Sequence, residues 1–251
     1  MIQLEHAEGI VAGAEAAARP VVLQVSENTA RFHRALAPIV QACLAIAEAS
    51  STLVSVHLDH ATSPELVEDA VRLGVPSVMF DASALAHDDN VAATREVAAY
   101  CHEREVWVEA ELGEVGGKDG VHAPGARTDP ADAAAYVGAT GVDSLAVAVG
   151  SSHAMLTRDA ELDDDLIARI AAAVEVPLVL HGSSGVPDDG LVSAVRHGMR
   201  KINIATQLNK QLTAAVRTAL NDEGLVDPRK YLGPGRDAVA AEVERLLRLL
   251  A

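Results

Sequence analysis

Short, β-branched apolar runs recur along this chain with Ala-rich, helix-spaced stretches between them, and that alternation leaves few folds open. The runs span Val21 to Val25, Leu53 to Leu58, Ser77 to Phe80, Val106 to Leu112, Ser144 to Val149, Pro177 to Leu180 and Lys201 to Ala205. They are apolar on both faces, as strands covered on both sides must be. Segments between them, such as Glu65 to Leu73, have helical spacing, and Gly74 supplies a helix stop. Repeated β-then-α units predict a parallel sheet covered by helices. No linker or composition break divides residues 1–251, so the expectation is one α/β domain, and that length suits an α/β barrel. Met1 to Val11 reads as a loop entering a helix. Residues 226–236 read as a Pro/Gly loop before a terminal amphipathic helix from about Asp237 to Leu250.

Only 2% of the residues are aromatic, so Ala, Val and Leu must do the packing. The formal charge of −16 removes any electrostatic reason to bind nucleic acid or an anionic membrane. An anionic substrate would need a local positive site: a metal, helix N-termini or chosen Lys and Arg residues. Cys43 and Cys101 read as buried free thiols of a reducing compartment. No apolar run is long enough to span a bilayer and the N-terminus lacks a signal pattern, so the expectation is a cytoplasmic protein.

Three histidines follow three of the apolar runs: His60, His153 and His181. Parallel strands bring their C-terminal ends to one face, where three imidazoles with one open position suit a catalytic zinc ion. One such histidine is more often a packed or capping residue; three at equivalent places favour metal. Asp59 precedes His60 and is either a proton relay or a cap or orienting partner of an imidazole. Asp81 ends the next run, and Glu109 and Glu111 share a face of the one after. These carboxylates either hold a second cation or form a hydrogen-bonded rim.

Gly113 to Gly120 reads as a mobile lid, with Asp119 or Glu114 as a candidate base, or as a solvated turn. Two segments suit a phosphate: Gly182, Ser183, Ser184 and Gly185 after His181, and Asn203, Ile204, Ala205 and Thr206 entering a helix. Phosphate sites after the last two strands are common in α/β barrels. His57 reads as a core or rim residue, and His6 and His102 carry no assigned role.

The residues then resemble a known family, the class II, metal-dependent ketose-bisphosphate aldolases acting on fructose or tagatose bisphosphate. The resemblance rests on His57-Leu58-Asp59-His60, Val108 to Gly113 with Gly116-Gly117, Asp143 to His153, Leu180 to Gly185, Lys201 to Thr206 and Asp227 to Leu232, in order over nearly the whole chain. It implies a (β/α)8 TIM barrel, with zinc on His60, His153 and His181. It makes Asp59 the proton donor to the aldehyde oxygen in condensation and the base in cleavage. Asp81 and Glu111 fall at a second cation position, and the dihydroxyacetone phosphate part falls on Gly182 to Ser184 and Asn203 to Thr206. A metal-stabilised enediolate, a phosphorylated sugar substrate, a monovalent cation (Na+ or K+) and a homo-oligomer, dimer or tetramer, are further implications.

Three departures stand out. Asp119 occupies the lid where the family carries a glutamate base. Ala154 follows His153 in place of a glycine beside substrate, and Met155 to Arg158 lacks the usual lysine. The family's first strand would end just before Met1, so the expectation is a barrel lacking that strand. The alternatives to an aldolase are an impaired, aldolase-like metal- and phosphate-binding protein and a different metal-dependent barrel enzyme.

Overall fold

The computed structural model describes residues 1–112, 127–152 and 155–251. Among these, seven strands form one sheet: Val21–Ser26 (β1), Val54–Ala61 (β2), Ser77–Phe80 (β3), Trp107–Leu112 (β4), Ser144–Val147 (β5), Leu178–Leu180 (β6) and Met199–Ile202 (β7). They lie in sequence order and every neighbouring pair is parallel. The helices are Leu4–Ala17 (α1), Glu27–His33 (α2), Ala37–Ala49 (α3), Pro64–Arg72 (α4), His87–His102 (α5), Pro130–Thr140 (α6), Asp164–Ala173 (α7), Asp188–His197 (α8), Thr206–Ala219 (α9) and Pro228–Leu249 (α10). The alternation expected from the apolar runs is present, with strand ends displaced by up to three residues.

Side chains alternate across each strand, and the two faces differ. Leu23, Val25, Val56, Leu58, Val78, Phe80, Val108, Ala110, Leu145, Val147, Leu178 and Leu180 join one apolar core with the helices. The opposite face carries Gln24, His57, Met79, Glu109, Glu111, Ala146, Val179 and Lys201 at the intervening positions. Lys201 on β7 meets Glu109 on β4 at 2.7 Å. Strands three apart in a flat sheet would be separated by roughly 14 Å. The sheet therefore curls, and the polar face is its inside.

Two expectations are corrected. His60 lies within β2 rather than after it: β2 continues to Ala61 through a register shift between Leu58 and Ala61, and His60 has φ +51°. The C-terminal helix begins at Pro228, not near Asp237, and passes through Pro234. Pro228 sits in the first turn, where its missing N–H is harmless, and the Asp227 side chain accepts from Arg229 N. Packing then overrides the Pro/Gly signal. A Cβ on Gly9 would lie 2.7 Å from Arg236 O, and one on Gly13 would lie 2.4 Å from Ala240 O, so α1 and α10 touch backbone to backbone. Among the described residues no helix is long and apolar enough to cross a membrane.

Candidate metal and phosphate site

His60 from β2 and His181, the residue after β6, meet inside the curled sheet. His60 Nε2 and His181 Nδ1 are 3.1 Å apart, with the rings nearly perpendicular at 85°. The other nitrogen of each ring faces a carboxylate: His60 Nδ1 is 2.7 Å from Asp81 Oδ2, and His181 Nε2 is 3.0 Å from Glu109 Oε1. An ionised carboxylate can only accept, so those two nitrogens carry the hydrogens. With both rings neutral, the two facing nitrogens then present lone pairs to each other. That arrangement suits a shared cation. Two nitrogens on one tetrahedral zinc at 2.0–2.1 Å stand roughly 3.3 Å apart, close to the separation here.

The carboxylates surround this pair. Asp59 Oδ1 lies 4.0 Å from His60 Nε2 and accepts a 3.1 Å hydrogen bond from Gln24 Nε2. Burial alone would raise the Asp59 carboxyl, but His60, His181, His57 and Lys201 hold it down at about 2. Asp81 is buried, and its Oδ1 accepts from Ser83 Oγ at 2.6 Å. Glu111 Oε2 lies 3.5 Å from His181 Nδ1. Two overlapping donor sets result, Asp59–His60–His181 and His60–Asp81–Glu111, each with ligand atoms within 4.8 Å of one another. His57, expected in the core or at its rim, is buried on the inner face: its Nδ1 meets Ser77 Oγ at 2.7 Å, and burial, then the nearby Lys201, pushes its pKa down to about 3.

The two anion segments adjoin. Gly182 is left-handed (φ +66°) and opens a short 3-10 turn, Ser183–Gly185. Ser184 Oγ accepts from Ala205 N at 3.3 Å and Gln207 N at 3.2 Å, at the N-terminus of α9. Ser183 is turned the other way. Its buried hydroxyl donates to Asn203 O at 2.5 Å and ties the turn to the segment after β7. The Asn203 Oδ1 is buried with no hydrogen-bond partner among the described residues. A cleft of about 860 Å³ opens over both regions, lined by Asp59, His60, His181, Ser184, Asn203 and Thr206, and by Ile204 and Ala205 between them.

The family profile described as "Fructose-bisphosphate aldolase class-II" matches residues 1–251. This chain belongs to that family. It is a class II aldolase, a carbon–carbon lyase. It is 38% identical over 250 residues to a fructose-bisphosphate aldolase of Staphylococcus epidermidis, covering 98% of this chain and 87% of that one. It is 40% identical over 245 residues to one from Geobacillus stearothermophilus, with 96% and 85% covered. Among solved structures, the YdjI aldolase of Escherichia coli K12 superposes with a TM-score of 0.89 at 31% identity, covering 100% of this chain and 89% of that one.

The structure thus brings together Asp59, His60, Asp81, Glu111 and His181, and places the two segments expected to suit a phosphate beside them. His153, Ala154, and Asp119 with the segment expected to form a lid lie outside the described residues. Sequence reading gave no role to Gln24, Ser83 or Lys201, and treated Glu109 only as a cation-holding or rim acid. The one available signal was the Glu109–Glu111 spacing, which puts both on the inner face of β4.

Proposed function

We propose that this aldolase reversibly cleaves a ketose 1,6-bisphosphate, fructose- or tagatose-bisphosphate, to dihydroxyacetone phosphate and glyceraldehyde 3-phosphate, with zinc as cofactor. The observation that carries the reading is the pair of facing imidazole nitrogens 3.1 Å apart, each ring backed by a carboxylate, beside a turn and helix N-terminus that suit an anion. His60, His181 and His153 would hold the zinc, with Asp81 and Glu111 at a second cation position. When bound, the cation supplies Lewis-acid polarisation of the substrate's C2 oxygen, where the electron pair of the breaking C3–C4 bond arrives. The seven parallel strands in sequence order support reading the sheet as strands two to eight of a (β/α)8 barrel.

The chain's own groups divide the remaining work. The N–H groups of Ala205 and Gln207, with the positive end of α9, anchor the phosphate of the three-carbon part, together with the Gly182–Ser184 turn. That anchoring orients the bond to be broken. Asp59 is ionised at neutral pH and held by Gln24. In cleavage it takes the C4 hydroxyl proton as that oxygen becomes the aldehyde, and in condensation it returns the proton. Asp119 is the base for the carbon-bound proton in this reading.

The test is aldol cleavage, assayed on each bisphosphate with the protein metal-stripped and then reloaded with zinc. Activity that vanishes with chelator and returns with zinc is expected. A zinc-loaded protein that cleaves neither substrate would overturn the proposal.

A further inference from the structure

Glu109 and Lys201 stand behind the metal-binding face of His181 and are absent from the lining of the cleft. Glu109 is 2% exposed, and both its oxygens are committed. Oε1 receives His181 Nε2 at 3.0 Å, and Oε2 receives Lys201 Nζ at 2.7 Å. The three residues come from β4, the end of β6 and β7, so the chain of contacts crosses the interior of the sheet. A buried carboxylate without a countercharge is costly, and Lys201 is the cation bonded to it. As an acceptor, Glu109 fixes the hydrogen of His181 on Nε2 and leaves the Nδ1 lone pair facing His60.

We propose that Lys201 is a positioning residue that acts through Glu109 to hold His181 in the tautomer with its hydrogen on Nε2, leaving Nδ1 to serve as a metal ligand. This rests on the proposed zinc site. It deepens that reading by assigning work to two residues that touch neither substrate nor metal. It also removes Lys201 from consideration as an amine nucleophile, because its ammonium is engaged by a buried carboxylate and kept off the cleft.

The experiment is zinc titration of the metal-stripped full chain against a chromophoric chelator, for wild type, Glu109→Gln, Lys201→Met, the double variant and Lys201→Arg, with circular dichroism as the check on folding. Glu109→Gln and Lys201→Met are expected each to weaken zinc binding about 10- to 100-fold, as loss of an outer partner does. The double variant should bind about as well as Glu109→Gln alone, because the two residues act in series. Lys201→Arg keeps the ion pair and should stay near wild type. A folded Lys201→Met that binds zinc like wild type, or losses that multiply in the double variant, would overturn the proposal.

If the variants do not fold, nitrogen-15 NMR of the metal-free wild type decides. A ring hydrogen of His181 on Nε2 supports the proposal, and one on Nδ1 overturns it. Wild-type protein that takes up no zinc would overturn the proposed function itself, and with it this assignment.

Discussion

Gly182→Ala tests the anion cradle and the chain entering His153 at once. Gly182 has φ +66°, and a Cβ there would lie 2.6 Å from the carbonyl carbon and oxygen of Ser152 and 2.9 Å from its nitrogen. All three are backbone atoms, so no side chain can swing aside. The left-handed conformation costs an L-residue roughly 1–2 kcal/mol, and overpacking a tight site adds roughly 1–3 kcal/mol. The sum, about 2–5 kcal/mol, corresponds to a fall in Tm of roughly 4–20 °C for a domain of this size. The control is Gly138→Ala, on the exposed side of α6, where a Cβ meets nothing within 4 Å. There alanine should stabilise by about 0.5–1 kcal/mol, because glycine is the poorer helix former. Thermal unfolding of the two variants beside wild type is the assay. If Gly182→Ala melts within about 2 °C of wild type, the argument from crowding and left-handed backbone is refuted.

Three further outcomes are expected. His181→Ala should lose zinc and activity together, whereas Asp59→Ala should keep zinc and lose about 10²- to 10⁴-fold in turnover; metal analysis beside the cleavage assay separates the two. Cys43 and Cys101 are fully buried, and burial pushes both thiols up to about 11; a thiol reagent at pH 8 should titrate neither in the native protein and both after denaturation. For Asp188, partial burial raises the carboxyl, but hydrogen bonds from Arg245 and Arg158 outweigh it and depress the pKa below 3.8. A depressed carboxylate stabilises the fold above its unfolded pKa and loses that contribution as pH falls through the folded one. The stability gap between wild type and Asp188→Asn should therefore be constant near neutrality and shrink below about pH 4; urea unfolding across that range reads it, and a pH-independent gap would count against the ion pair.

What the sequence made legible was whatever depends on local periodicity. Strands were placed within three residues at their ends, and Ser77–Phe80 was placed to the residue. The strand-end argument put His60 and His181 on a common face, and they meet at 3.1 Å. It placed His60 beyond the strand, because alternation of apolar residues carries no trace of a bulge. Residues 226–236 looked like a breaker-rich loop, yet Gly235 lets α10 lie against Leu212 and Val216 of α9, and that tertiary fit is invisible to a local reading. Lys201 and Glu109 are 92 residues apart, so nothing near either one announced the pair. Ser183 and Ser184 read as equivalent cradle residues; only the folded turn shows one hydroxyl facing Asn203 O and the other facing α9.

The hydroxyl of Ser184 holds the Ala205 and Gln207 amides, the very donors an incoming phosphate would use. Any anion reaching α9 is therefore weighed against an existing intramolecular partner rather than against solvent. On the proposed reading, a phosphate would have to displace that hydroxyl, and its several oxygens would offer the two amides more than Ser184 does.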